Sequence, residues 1–263
     1  MLGRWGLRIA AMVVLAFLYV PLIIVFLFSF NADRGQSWPI GSWTTRWYEA
    51  AIGNAGARDA FVLSIEAGIG ATVIALVLGT LAALAVHRFR FFGRDAVSLA
   101  LVLPLALPGI VTGIALGTSI NNLGIPFGPM TIIIGHTTFC IVVVYNNVIA
   151  RMRRSSASIE EASMDLGADA LQTFRHITLP VLATALLAGG MLAFALSFDE
   201  IIVTNFTAGT DQTLPIWIFS NIKQANQRPI VNVVAVIVIL LSTVPVYIAQ
   251  RLAGTEAASR SAP

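Results

Sequence analysis

The stretch EEASMDLGADALQTFRHITLP, residues Glu160 to Pro180, is the longest charged segment of an otherwise apolar chain. It carries four carboxylates, a glycine and a closing Leu-Pro, in a sequence that is 57% hydrophobic and only 11% charged. Soluble domains usually carry about 25% charged residues. The surrounding sequence is therefore typical of a membrane protein, and we expect this segment to lie outside the lipid.

Apolar stretches outside this segment are long enough to cross a membrane, because about 20 helical residues span a hydrocarbon core of about 30 Å. There are six: Ile9 to Phe30, Phe61 to Val86, Ala96 to Ile120, Thr131 to Ala150, Val181 to Val203 and Val231 to Ala249. The first is too long for a secretory signal peptide and lacks a small-residue cleavage site, so we expect it to be retained. The sequence predicts one all-α transmembrane domain over residues 1–253 and a polar tail at 254–263.

The basic residues predict the orientation, because they concentrate in loops that stay in the cytoplasm. With the N-terminus inside, eleven of the 16 lysines and arginines fall on the inner side and five on the outer side. Both termini and the loop 151–180 are therefore predicted to be cytoplasmic. In the third stretch, LPLALPGIVTG at residues 103–113 predicts a kink or a local opening of the helix. A simple packing kink is an alternative, since proline and glycine are common in transmembrane helices.

Start and stop signals divide the charged segment into two short helices. Ser158 stands three residues before Glu161, the spacing of a capping box at a helix start, and Gly167 can end this helix by taking a positive φ. A second start signal lies at residues 169–172, so a second short helix is expected to lead into the fifth span. We expect the two helices to lie at an angle beneath the membrane.

The first of these helices has an apolar stripe that a short loop cannot cover. Ile159, Ala162 and Leu166 fall on one face, while the carboxylates point elsewhere. An ordinary solvated connector is the alternative, but a helix of about two turns is marginal alone in water. A groove on another protein that receives the stripe is the simpler explanation.

The segment resembles the EAA loop of binding-protein-dependent ABC importer permeases. The matching residues are Glu161, Ala162, Ser163, Gly167, Ile177, Leu179 and Pro180. Ser163 replaces the usual second alanine, a small-for-small change. In that family the loop forms a coupling helix that seats in a cleft of the cytoplasmic ATPase subunit, so the resemblance implies this role for these residues and for Glu160 and Leu166.

The resemblance extends to the permease subunits of spermidine/putrescine importers, in particular the second, PotC-type subunit. It rests on FSFN at 28–31, TRWYEA at 45–50, LPLALPGIVTGIALG at 103–117, FALSFDEIIVTNFTAG at 194–209 and LPIWIFSNIK at 214–223. It implies the six-helix bundle of a type I ABC importer permease in the bacterial cytoplasmic (inner) membrane. VLSIEAG at 62–68 departs from the usual Asn-Ser-Leu pattern and introduces Glu66 into a span.

The chain lacks the parts of an ATPase. A phosphate-binding P-loop needs a lysine after its glycines, and Lys223, the only lysine, lies in a predicted outer loop without that motif. We expect no catalytic residue and no cofactor in this chain. The resemblance implies two ATP-binding subunits that hold ATP and Mg, a second permease subunit of the PotB type, and an extracytoplasmic solute-binding protein. A net charge of only +3, from scattered basic residues, gives no indication of nucleic-acid binding.

Carboxylates at the spans indicate a candidate substrate pathway, because charged groups in lipid are costly and default to functional candidates. Glu66 lies in the second span, and Asp199 and Glu200 lie near the outer end of the fifth. No lysine or arginine lies within the six predicted spans, which favours a cationic substrate. Phe198 and Trp217 could flank an ammonium group through cation–π contact. Capping, ion pairing or helix packing by these carboxylates is the alternative; resemblance to the acidic pair of polyamine permeases favours Asp199.

Other functions remain open at this point. His136 is expected to be a packed or hydrogen-bonded histidine, because no second metal ligand stands at a suitable spacing. The same ABC coupling would also serve an importer of ferric iron, an opine or another organic cation. A secondary transporter driven by an ion gradient is the alternative from another class, and the docking segment argues against it.

Overall fold

The computed structural model describes residues 2–155 and 158–259, with side chains for residues 5–155 and 158–243. The described residues form helices joined by turns, with one isolated bridge between Asn31 and Trp43. The helices are α1 Leu2–Phe28, α2 Arg46–Ile52, α3 Ala55–Arg88, α4 Arg94–Ala106, α5 Gly109–Asn122, α6 Pro129–Met152, α7 Ser158–Asp165, α8 Ala170–Thr173, α9 Leu179–Phe198, α10 Ile202–Thr207, α11 Leu214–Asn221 and α12 Arg228–Ser259. The predicted all-α class is confirmed.

Four of the described helices are long and apolar enough to cross a membrane. They are α1, α3, α6 and the continuous helical segment Ala170–Phe198 that contains α9. A bent pair, α4 and α5, can supply a fifth span. The described apolar part of α12, Arg228–Thr243, is shorter than these. The backbone of α12 runs to Ser259, past the predicted tail boundary, and residues 260–263 of that tail lie outside the described part.

The third predicted span is broken as expected, because α4 and α5 meet at an angle of 104°. Leu107 between them is extended, with φ −79° and ψ 146°. The residue before a proline is pushed out of the helical region, and Pro108 supplies that constraint. Pro104 lies inside α4 without ending it. The predicted opening at residues 103–113 is therefore confirmed, and it lies at Leu107 and Pro108.

The fifth predicted span ends earlier than expected, at Phe198 instead of Val203. A turn at residues 199–201 separates α9 from α10, and the carboxylate Oε1 of Glu200 accepts a hydrogen bond from the backbone N–H of Val203 at 2.9 Å. Glu200 lies one residue before the N-cap, Ile201, and its carboxylate satisfies one of the free N–H groups of the helix start. The acidic pair thus begins a new helix where the hydrophobicity alone predicts a continuation.

Residues 59–216 form one compact unit, and α6 is the most buried of its spans, with about two thirds of its apolar part covered by neighbouring helices. Small residues allow α9 to pack closely against it, since a Cβ on Gly189 would lie 3.3 Å from the Cβ of Asn147. Cys140 is fully buried in this contact, and its thiol donates to the carbonyl oxygen of Ala193 at 3.3 Å. Close backbone approach of this kind is typical of helix contacts in membranes.

Residues 2–58 and 217–259 form the other compact unit, in which α12 contacts both α1 and α2. The turn between α1 and α2 is tied down by side chains: the indole N–H of Trp47 donates to the carbonyl oxygen of Asn31 at 2.8 Å, and Arg46 donates to that of Ala32 at 2.7 Å. The amide of Asn232 in α12 donates to Gln36 at 2.8 Å. These contacts give the predicted outer loop a fixed conformation.

Candidate functional site

The helix predicted inside the charged segment is present as α7, Ser158–Asp165. It ends as predicted at Gly167, which has φ +91°. The N–H of Gly167 donates to the carbonyl oxygen of Met164 at 2.9 Å, and that of Ala168 donates to Ser163 at 3.1 Å. This pair of bonds is a Schellman motif, in which a glycine takes the left-handed conformation. The chain therefore turns sharply after α7.

The second start signal is also confirmed, with Asp169 and Gln172 bonded reciprocally: Oδ1 of Asp169 accepts from the backbone N–H of Gln172 at 2.7 Å, and Oε1 of Gln172 accepts from that of Asp169 at 3.0 Å. The helix that begins here leads into the fifth span, as predicted, and it does so without a break. It continues through a π-helical turn, Phe174–Thr178, into α9. Pro180 has no N–H and its ring clashes with the carbonyl of a regular helix four residues earlier, and the wider turn accommodates it.

The surface of α7 is open. None of its residues is buried, and Ile159 and Met164 are 52% and 50% exposed. Leu166, directly after the helix, is 90% exposed. Of the other residues assigned to coupling, Glu161, Ala162, Gly167, Leu179 and Pro180 are exposed, while Glu160, Ser163 and Ile177 are partly covered. Apolar side chains this exposed, on so short a helix, are typical of a contact surface.

Glu160 points back into the chain. Its carboxylate accepts hydrogen bonds from Arg88, at the end of α3, at 2.7 Å and from the hydroxyl of Thr178, at the start of α9, at 2.6 Å. Arg88 also donates to the same hydroxyl at 3.0 Å. We call these three residues the polar clamp. Arg88 and Thr178 were not predicted from the sequence, and nothing in their spacing from Glu160 signals the contact.

The clamp holds Glu160 in its ionised form. Partial burial opposes ionisation, but the hydrogen bonds from Thr178 and Arg88 and the positive charge of Arg88 outweigh it, so the pKa of Glu160 lies below its ordinary value of 4.5. A group with a lowered pKa stabilises the folded state above its ordinary pKa and loses this contribution as the pH falls. The clamp is therefore intact at neutral pH and weakens only below pH 4.5.

The candidate pathway carboxylates differ in their surroundings. Glu66 in α3 and Asp199 at the end of α9 are exposed, whereas Glu200 is partly buried and caps α10. The ring of Phe198 contacts Phe61 and Phe194, with ring centroids 6.3 and 6.0 Å apart. Phe198, the neighbour of Asp199 in the sequence, thus takes part in an aromatic contact between α3 and α9.

Trp217 belongs to the other compact unit and is buried, with 5% of its surface exposed. A Cβ on Gly56 would lie 3.1 Å from its indole nitrogen, so the ring packs closely against the start of α3. Within its own unit Trp217 is a packing residue, and no free aromatic face is presented there to a ligand.

His136 connects the three helices around the acidic turn. Its Nδ1 lies 2.7 Å from the hydroxyl of Ser197 in α9, and its Nε2 lies 2.7 Å from that of Thr204 in α10. Because Thr204 donates to the carbonyl oxygen of Glu200 at 2.8 Å, it accepts from Nε2, and in the neutral ring Nδ1 accepts from Ser197. The prediction of a hydrogen-bonded histidine is confirmed. Among the described residues, no cluster of three or more potential ligands could hold a metal.

Several long apolar helices joined to an exposed helical segment define a multi-span membrane protein. The sequence profile of the family described as "Binding-protein-dependent transport system inner membrane component" matches residues 75–255. The chain belongs to this family. It is an inner-membrane permease component of a transport system and not an enzyme.

Curated relatives cover almost the whole chain. The spermidine/putrescine transport system permease protein PotC of Haemophilus influenzae is 36% identical over 95% of this chain and 97% of that protein. PotC of Escherichia coli K12 is 35% identical over 90% of both chains. The putrescine transport system permease protein PotI of the same strain is 35% identical over 85% of this chain and 82% of that protein.

A solved structure shares the fold. It is a crystal structure of a bacterial ABC transporter involved in the import of the acidic polysaccharide alginate, with a TM-score of 0.73 and 17% identity over 96% of both chains. Because the identity is this low, the likeness supports the helical arrangement of an ABC importer permease and says nothing about the substrate.

Proposed function

We propose that this chain is a permease subunit of an ATP-driven importer of polyamines, spermidine or putrescine. The observation that carries the proposal is its identity to curated polyamine permeases over most of its length. The charge pattern agrees with a cationic substrate, since the predicted spans contain carboxylates and no lysine or arginine. Charged groups at such depth are costly and are retained for substrates or partners.

The substrate pathway in this proposal runs past Glu66 in α3 and Asp199 directly after α9, two carboxylates that are exposed. A polyamine presents ammonium groups separated by methylene segments. Carboxylates bind the ammonium groups, and aromatic faces such as those of Phe61 and Phe198 attract them by cation–π contact. Glu200 instead stabilises the start of α10 through its hydrogen bond. The buried face of Trp217 does not bind the substrate in this proposal.

The energy in this proposal comes from partner ATPases that grip α7. The exposed apolar side chains Ile159, Met164 and Leu166 would insert into a cleft of an ATP-binding subunit, where ATP and Mg are held. The exposed Glu161 would lie at the rim of that contact. The complete importer would contain two ATP-binding subunits, a second permease subunit of the PotB type and an extracytoplasmic solute-binding protein. Six spans with both termini in the cytoplasm complete the proposal.

Copurification tests the coupling surface. We expect Leu166→Asp to abolish copurification of the ATP-binding subunits from detergent extracts, because burying an unpaired carboxylate in an apolar cleft is strongly unfavourable. Leu123→Asp is the matched control: Leu123 is 73% exposed, in the turn after α5, and its variant should assemble at wild-type yield. Normal recovery of the ATPases with Leu166→Asp would contradict docking through α7.

Uptake into proteoliposomes tests the substrate. The purified complex with its solute-binding protein should take up labelled putrescine or spermidine in the presence of ATP. Unlabelled polyamines should compete, and ferric iron or an opine should not. Uptake that needs an ion gradient instead of ATP would support a secondary transporter, and ATP-driven uptake without competition by polyamines would support another solute.

A further inference from the structure

Helix α7 is attached to the rest of its compact unit by few contacts. It has no buried residue, and a cavity of about 410 Å³ lies between it and the ends of the neighbouring helices. Apolar side chains line much of this cavity: Met152 and Val181, and from α7 itself the half-exposed Ile159 and Met164. Because the space is not filled by side chains, packing alone cannot hold α7 at a fixed distance from the spans.

Polar contacts bridge this gap. The polar clamp joins Glu160 of α7 to Arg88, the last residue of α3, and to Thr178, the last residue before α9. A second, longer contact of 3.2 Å links the hydroxyls of Ser163 and Thr173. Charge-assisted hydrogen bonds are shorter and stronger than neutral ones, so the clamp is the stiffer of the two connections.

The position of the clamp suits the transmission of movement. Arg88 and Thr178 lie at the ends of α3 and of the segment leading into α9, so a displacement of Glu160 acts on both helices at once. The hydroxyl of Thr178 is buried, accepts from Arg88 and donates to Glu160. It therefore closes a three-membered hydrogen-bonded network that joins α3, α7 and the segment leading into α9. Glu66 lies in the same α3, and Asp199 directly follows α9.

We propose that the polar clamp of Arg88, Glu160 and Thr178 transmits the movement of α7 to α3 and α9, so that these are positioning residues for energy coupling. The proposal rests on the proposed docking of an ATPase at α7. It separates two roles within one segment: the exposed apolar side chains, Leu166 above all, bind the motor, and Glu160 passes the displacement to the spans. Variants of the clamp should therefore uncouple transport without releasing the ATPase.

The experiment uses the assembled importer with Arg88→Glu, which places two carboxylates against each other. ATP hydrolysis, polyamine uptake and copurification of the ATP-binding subunits are measured on the same preparation. We expect normal copurification and at least about a tenfold fall in the number of substrate molecules taken up per ATP, the size of effect that loss of a charge-assisted hydrogen bond has on an equilibrium. Arg90→Glu, the same change on an exposed arginine outside the clamp, should leave this ratio unchanged.

The reversed pair Arg88→Glu/Glu160→Arg is the decisive variant. It restores opposite charges, and the hydroxyl of Thr178 can exchange its donor and acceptor roles, so uptake per ATP should recover to within about twofold of wild type. Thr178→Val should lower the uptake per ATP, and Thr178→Ser should preserve it. Valine keeps the volume of threonine and serine keeps its hydroxyl, so this pattern would show that the hydroxyl is required and not the size of the side chain.

Two results would overturn the proposal: coupled uptake that survives Arg88→Glu, or loss of the ATP-binding subunits in that variant, which would make the clamp part of the docking surface. A failure of the docking proposal itself gives a different pattern, since Leu166→Asp would then retain the ATPases whatever the clamp variants do. The two proposals are therefore tested by separate observations.

Discussion

At the scale of single residues, His136 is the polar centre of the contact between α6, α9 and α10. It is fully buried, and both ring nitrogens are 2.7 Å from hydroxyl groups. We expect His136→Leu to destabilise the protein by about 2 kcal/mol, because the hydroxyls of Ser197 and Thr204 lose a buried partner. Thermal unfolding of the purified permease in detergent, followed by tryptophan fluorescence, measures the effect.

An exposed histidine provides the control for this prediction. His176→Leu removes an imidazole that contacts the carbonyl oxygen of Gln172 at the surface, and it should change the unfolding temperature little. Equal losses in the two variants would show that the buried network contributes nothing beyond an ordinary side-chain contact.

At the scale of elements, glycines set the spacing between α5 and α10. A Cβ on Gly117 would lie 2.7 Å from the carbonyl oxygen of Phe206, a backbone atom that cannot rotate away. We expect Gly117→Ala to force the helices apart and cost about 1–3 kcal/mol, as overpacking usually does. In Gly109→Ala the new methyl would find its nearest neighbour, Ile202, at 3.8 Å, so stability should be unchanged. Protease resistance of the two variants in membranes distinguishes these outcomes.

Local signals explain which elements were predictable. The end of α7 at Gly167 and the capping box at Asp169 use residues a few positions apart, and both follow from the sequence. The break at Pro108 was predicted only as a region, because Pro104 offers the same chemistry and is tolerated inside α4. Whether a proline bends or breaks a helix depends on what surrounds the freed backbone groups.

Contacts between distant parts of the chain were not predictable in the same way. The clamp joins residues 72 and 90 positions apart, and the bond between His136 and Thr204 spans 68. Hydrophobicity placed the body of the fifth span but not its end, since the hydrogen bond of Glu200 at the start of α10 depends on the direction of one carboxylate. The candidate site was thus predicted by residue type, and its internal connections came from the fold.

At the scale of the whole molecule, the charge pattern leads to a prediction about transport. Neutralising both exposed carboxylates with Glu66→Gln/Asp199→Asn should lower the uptake of putrescine by about tenfold, the change expected from losing roughly 1.4 kcal/mol of charge attraction. Assembly and basal ATP hydrolysis should be unaffected. Initial uptake rates in proteoliposomes over a range of putrescine concentrations measure this.

The contrast with Glu200 makes that test specific. Glu200→Ala removes the cap of α10 and should reduce stability by about 1 kcal/mol, whereas the double variant should unfold at the wild-type temperature. Unchanged putrescine uptake by the double variant would return Glu66 and Asp199 to a structural role.

The fully buried Cys140 has a practical consequence for following this molecule at work. It is the only cysteine in the sequence, and its thiol is held against Ala193 inside the helix contact. A cysteine introduced at an exposed position would therefore be the one group within reach of a maleimide probe. Spin labels or fluorophores attached in this way would report distances during turnover from an otherwise native chain.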